Sequence, residues 1–185
     1  MVKIGVTGHR DLDNVEQIAS SVDEVLRKIK NVFPEESLTI ISPLADGADR
    51  IVAWRAMENN KLRLVVPLPL EISEYMLDFD SMHSKAEFVT LLEQAAQVIE
   101  LPAQETREAS YFAAGLYVLD YCDVLIAIWD GEPAQGPAGT GQIVAEARQR
   151  SKPLAWVFAN RQNRDPDSQS PLKKSPGEVS FENFP

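Results

Sequence analysis

Residues 123–147, DVLIAIWDGEPAQGPAGTGQIVAEA, limit the possible folds more than any other stretch of the chain. Residues 124–129 are a continuous apolar run rich in β-branched side chains, the pattern of a strand buried on both faces in a parallel sheet. Asp130 and Gly131 end the run, small and turn-forming residues follow, and 142–147 reads as the opening of a helix. In a strand–loop–helix unit the loop lies at the carboxyl end of the strand, and the first helical turn offers unpaired N–H groups to an anion. Gly136, Gly139 and Gly141 would let a backbone approach a phosphate closely, and Thr140 adds a hydroxyl donor. The competing reading of this glycine-rich loop is a plain turn.

The same alternation runs through the rest of the chain. Strands are predicted at 2–6, 38–42, 62–66, 98–101 and 154–158 besides the one at 124–129. Val15, Ile18, Val22, Val25, Ile29 and Val32 recur at helical spacing, with Asp13 and Glu16 placed to form a capping box and Pro34 beyond the end. Further helices are predicted after Arg50, over 85–95 and over 107–121. Residues 67–84 show no clean period, and a segment of that length reads as a lid.

This alternation implies an α/β protein with a Rossmann-like, doubly wound, mainly parallel sheet and helices on both faces. The expected strand order is 3-2-1-4-5 with the last strand at an edge. A length of 185 residues with 44% hydrophobic content suits one domain over 1–159. After Ala159 the composition turns to Asn, Gln, Arg, Asp, Ser and Pro, the signature of a polar, flexible or loosely docked tail over 160–185.

Charge and cysteine content narrow the partners. The net charge is −10, and residues 160–185 balance Arg161, Arg164, Lys173 and Lys174 against Asp165, Asp167, Glu178 and Glu182, so the excess lies on the domain. An acidic body repels a nucleic-acid backbone and argues against non-specific binding to it, while a local group of arginines can still hold a small anion. Cys122 is alone and reads as a small buried hydrophobe. With no leader-like start and no membrane-length apolar run, the expected location is the cytoplasm, with no membrane contact. The sequence leaves room for a homo-oligomer. No cofactor is implied, and the Asp78/Asp80 pair is too little to suggest a metal.

Ligands of such sheets sit beyond the carboxyl ends of the strands. Placed on that rim, the loops gather Gly8, His9 and Arg10, residues 46–50, Arg107 with Tyr111, Asp130, and the glycine-rich loop. Arg50 and Arg107 also fall in the first turns of their helices, where the macrodipole disfavours a cation unless an anion is near. Each could instead pair with a neighbouring carboxylate, Asp46 or Asp49 for Arg50 and Glu105 or Glu108 for Arg107. His9 could donate a hydrogen bond or move a proton. Asp130 could receive ribose hydroxyls, act as a base, or merely cap its turn.

Thr7-Gly8-His9-Arg10 after the first strand, Ser42 and Ala45-Asp46-Gly47-Ala48-Asp49-Arg50 after the second, and Gly139-Thr140 after Trp129-Asp130-Gly131 resemble the SLOG superfamily. That Rossmann-like group includes the Lonely Guy phosphoribohydrolases, the DNA-processing protein A fold and the sensor domain of TRPM channels. The resemblance covers roughly residues 2–158 and implies a pocket for a nucleotide or nucleotide derivative, its phosphate on the Gly-Thr loop. The expected ligand-binding residues are Gly8, Arg10, Ser42, Gly47, Asp49, Arg50, Arg107, Tyr111, Gly136, Gly139, Thr140 and Gly141. Lonely Guy enzymes carry a catalytic glutamate after this loop. Here Ile143 stands at that position and Glu146 lies one helical turn later.

The first functional expectation is therefore a sensor or binding module for a small phosphorylated, nucleotide-like ligand. The alternative is an enzyme cleaving or transferring at an N-glycosidic bond, with Asp130 or Glu146 as the carboxylate and His9 assisting. A third reading is a protein-interaction domain with a vestigial pocket.

Overall fold

The computed structural model describes residues 1–60, 62–134, 139–161 and 174–185. Its strands are β1 (Val2–Gly8), β2 (Leu38–Ile41), β3 (Arg63–Leu68), β4 (Gln97–Glu100), β5 (Val124–Trp129), β6 (Leu154–Phe158) and β7 (Val179–Glu182). The helices are α1 (Val15–Val32), α2 (Ala48–Asn60), α3 (Ile72–Tyr75), α4 (Met82–Glu93), α5 (Arg107–Tyr121) and α6 (Thr140–Gln149). A 3-10 turn, Met76–Asp78, follows α3. The strands form one sheet in the order β4-β3-β2-β1-β5-β6-β7, parallel throughout except for β7. This is the doubly wound α/β architecture. Among the described residues no helix is long and apolar enough to cross a membrane.

The apolar run of β5 explains the centre of the sheet. Ile126 and Ile128 pack with α1, α2 and α4 on one face, while Leu125, Ala127 and Trp129 pack with α5 and α6 on the other. A strand clothed on both faces belongs inside the sheet, and β5 lies between β1 and β6. This corrects the expected order 3-2-1-4-5, which put the fourth strand beside the first. β4 is short and largely exposed, which suits an edge, and it pairs only with β3. The last parallel strand, β6, is not an edge either, because β7 covers it in antiparallel pairing. The loops of β1 and β5 leave the sheet where the winding reverses, the point at which ligands bind in this architecture.

The capping-box expectation changes, and the 67–84 segment and the described part of the tail take definite form. Asp13 and Glu16 do not make a capping box: Asn14 precedes α1 in the left-handed region with no side-chain cap. The Asp13 N–H donates instead to the Asn160 carbonyl, and Leu12 bridges Arg161, so tertiary pairing takes the cap's backbone. Within residues 67–84, Leu77 and Met82 are exposed while other side chains anchor the segment. Tyr75 and Phe79 are buried against Phe88, with ring centroids 5.0–5.7 Å apart. Within the polar stretch after Ala159, Phe181 and Phe184 pack together below Lys28, whose ammonium lies 4.0 Å from the Phe181 ring centre.

Candidate functional site

The loop after β1 is fixed from both sides. The His9 N–H donates to the Ile128 carbonyl at 3.0 Å, and the His9 carbonyl accepts the Ala48 N–H at 3.0 Å. Gly47 allows the second contact: its φ is +76°, and a Cβ there would lie 2.1 Å from the Arg10 carbonyl oxygen. Gly47 and its neighbours therefore support the rim from behind.

The loop after β2 is held by Ser42, Asp49 and Arg50. Leu44 is fully buried with φ +61°, a strained conformation for a residue with a branched side chain. Its N–H donates to the Ser42 hydroxyl oxygen and its carbonyl accepts from Arg50 Nε, both at 3.1 Å. The Ala45 N–H donates to Asp49 Oδ2 at 3.2 Å. Arg50 is 2% exposed and meets Asp46 at 2.7 Å, Glu87 at 3.1 Å and the Ser84 carbonyl at 2.8 Å, while its guanidinium stacks on Phe79. Its other terminal nitrogen is buried with no hydrogen-bond partner among the described residues, and Arg50 lines neither of the two cavities at the rim. Of the carboxylates the sequence offered Arg50, Asp46 is the one it pairs with.

Arg107 is likewise committed to protein. It donates to Asp78 at 2.8 and 3.0 Å, to the Tyr111 hydroxyl at 2.8 Å and to the Glu74 carbonyl at 2.6 Å. Tyr111 in turn donates to Asp78. These bonds clamp the 72–78 segment onto α5, and the carboxylate that neutralises Arg107 comes from neither Glu105 nor Glu108.

Two contiguous cavities remain at the rim. One, of about 270 Å³, is polar and lined by Gly8, His9, Arg10, Asp11, Gly139, Thr140 and Arg161. The other, of about 110 Å³, is mainly apolar, with Pro43, Pro69, Tyr75, Tyr111, Val118 and Ile143 among its walls and Asp49 as its carboxylate. Gly8, Arg10 and Thr140 line both. Arg10 is exposed and its guanidinium lies 5.4 Å from the Tyr111 ring centre; among the described residues it has no carboxylate or hydrogen-bond partner. It is the cation most available to a ligand at this rim.

At the floor of the polar cavity His9 Nε2 lies 3.0 Å from Asp130 Oδ1, both side chains being buried. Arg161 Nε meets Asp130 Oδ2 at 3.1 Å, and the Glu132 N–H donates to Oδ1 at 3.0 Å. Burial alone would push the Asp130 carboxyl up, but the hydrogen bonds from His9 and the Glu132 N–H, together with the charge of Arg161, outweigh it and hold the carboxyl below its ordinary range. Asp130 Oδ1 is thus engaged with His9 and the turn and Oδ2 with Arg161, and Asp130 lines neither cavity. Glu146 lines neither cavity and pairs with Arg150 at 3.6 Å, so it is not a substitute for the missing glutamate.

Gly141 is buried under the 132–134 backbone, where a Cβ would lie 2.7 Å from the Ala134 nitrogen. Gly136 lies outside the described residues. Sequence reasoning missed Arg161, Tyr75, Pro43 and Pro69. Arg161 had a usable signal, since it follows the carboxyl end of a parallel strand as the other rim residues do. Among the described residues no group of His, Cys, Asp and Glu could hold a metal ion.

Burial pushes the Asp49 carboxyl from 3.8 up to about 7, against the opposing effects of the Ser42 hydroxyl, the Ala45 N–H, Arg10 and Arg50. The folded chain thus keeps a proton that the unfolded chain releases near pH 4, and stability falls as pH rises between about 4 and about 7. Asp49→Asn should gain on the parent across that window, by roughly 4 kcal/mol in all, and hold a constant advantage above it. Urea unfolding of both proteins across that range checks this. Parallel profiles would show that Asp49 does not titrate there.

No protein-family model matches the chain, and a search of curated proteins finds no match.

Proposed function

We propose that the protein binds a small phosphorylated ligand of the nucleotide class, as a sensor or binding module. One observation carries this reading. A polar cavity at a helix start, lined by Arg10, Arg161 and Asp11, opens into an apolar cavity with two tyrosines, and the unpaired Arg10 stands between them. Phosphate would meet Arg10, Arg161, the Thr140 hydroxyl and the first N–H groups of α6. The ring of the ligand would enter the apolar half. The SLOG resemblance points the same way, since five of its residues, Gly8, His9, Arg10, Gly139 and Thr140, line the polar cavity.

A thermal-shift screen against nucleoside mono-, di- and triphosphates, dinucleotides and ADP-ribose tests the reading. A ligand present at about 100 times its dissociation constant adds about 2.7 kcal/mol and visibly raises the melting temperature. Arg10→Ala removes a charge-assisted contact worth about 1.5–3 kcal/mol, so affinity should drop roughly 10- to 100-fold. Because Arg10 is exposed and unpaired, the unliganded melting temperature should stay where it is. If no phosphorylated compound shifts the transition, or if Arg10→Ala binds as tightly as the parent, the reading fails.

A further inference from the structure

Asp49 is an unusual group to find in the wall of an apolar cavity. Its side chain is about nineteen-twentieths buried, and its hydrogen bonds come from the Ala45 N–H and the Ser42 hydroxyl. Neither is a charge, and both also serve the strained turn at Leu44. A carboxylate so placed lacks the ion pair that usually accompanies a buried charge. The cavity it faces has room for several non-hydrogen atoms and sets Tyr75 and Tyr111 as aromatic walls, their centroids 6.2 Å apart.

We propose that Asp49, among the described residues the one carboxyl group in the wall of this apolar cavity, recognises the base of the ligand by pairing its two oxygens with a ring edge. The ligand class is a planar nitrogen heterocycle that sets an acceptor beside an N–H, as the adenine edge does. This inference rests on the nucleotide-binding reading above. A neutral acid presents one donor and one acceptor side by side, the pattern such an edge needs, whereas a carboxylate presents acceptors only. The charged and titratable groups that face Asp49 are Arg10 from the β1 loop, Arg50 from its own helix, Tyr75 from α3 and Tyr111 across the cavity. Burial raises the Tyr75 phenol and keeps it neutral. A phosphate bound at Arg10 would offset the charge that most favours ionised Asp49 after its hydrogen bonds, so ligand binding and the Asp49 proton should reinforce one another.

Asparagine is the discriminating substitution, because its amide offers the same donor and acceptor but does not titrate. Calorimetric titration of the full chain with AMP and with ribose 5-phosphate, at about pH 6 and about pH 8.5, separates base from phosphate. Taking the ratio of the two affinities cancels the titration of the phosphate itself. In the parent the AMP preference should fall about tenfold on going to the higher pH, as Asp49 loses its proton. Asp49→Asn should keep the full preference at both pH values, and Asp49→Ala should lack it at both. A preference that does not change with pH in the parent, or that changes equally in Asp49→Asn, overturns the proposal while ribose 5-phosphate binding preserves the nucleotide reading. Failure of both AMP and ribose 5-phosphate to bind the parent overturns this proposal, and the nucleotide reading falls with it only if no phosphorylated compound of the thermal-shift panel binds.

Discussion

Arg50→Ala is expected to destabilise the fold by about 3–5 kcal/mol, the range for removing one partner of a buried charged network. The side chain is 2% exposed and links three parts of the molecule: the Leu44 carbonyl in the β2 loop, Asp46 beside it, and Ser84 with Glu87 on α4. Truncation strands these acceptors and leaves a void against Phe79, over which the guanidinium sits at 4.4 Å. For a chain of this length each kcal/mol corresponds to about 2–4 °C, so the melting temperature should fall by roughly 10 °C. Arg50→Lys should recover only part of the loss, because one ammonium cannot serve Leu44 and Ser84 at once. Glu87→Gln should cost less than either, since Asp46 still neutralises the arginine. If Arg50→Ala melts within a degree or two of the parent but loses its ligand, Arg50 belongs to the binding site after all.

Gly47→Ala combines two penalties in one methyl group. At φ +76° an L-residue costs about 1–2 kcal/mol, and the added Cβ would meet the carbonyl oxygens of Arg10 and His9 at 2.1 and 2.5 Å. Both atoms are backbone, so relief requires shifting the whole β1 loop and stretching the bond from the Ala48 N–H to the His9 carbonyl. A loss of about 3 kcal/mol or more is expected, seen as a lower urea midpoint. Any folded fraction should also bind phosphorylated ligands poorly, because the loop that moves carries Arg10. A Gly47→Ala protein with parental stability and affinity would mean that the two loops are free to separate, contrary to the packing described here.

Much of the architecture was legible in the chain. The apolar runs of β5 and β6 and the helix at α5 have the bounds that the sequence suggests, because an unbroken apolar run or a capped, periodic segment carries its own boundaries. The capping box at Asp13 and Glu16 was misleading for the opposite reason. A local motif competes with any backbone partner that tertiary structure brings near, and here Asn160 supplied one.

The three arginines expected on the rim separate along the same line. Arg10, Arg50 and Arg107 look alike as residues of loops or first helical turns. Asp46, four residues from Arg50, was visible from the spacing, but Asp78, twenty-nine residues from Arg107, was not. Arg10 stays unpaired because no folded segment brings a carboxylate to it among the described residues. Asp130 is tied to His9, Arg161 and its own turn, and the first two of these are distant in sequence.

By itself the sequence determined the α/β class and the mainly parallel strands, because these follow from periodicity and local backbone preference. Tertiary structure alone decided the order of the strands, which arginine has no carboxylate partner among the described residues, and that Asp49 is closed into the wall of an apolar cavity. Those are properties of burial and of charge pairing across the fold, and both depend on distances that the order of residues along a chain does not contain.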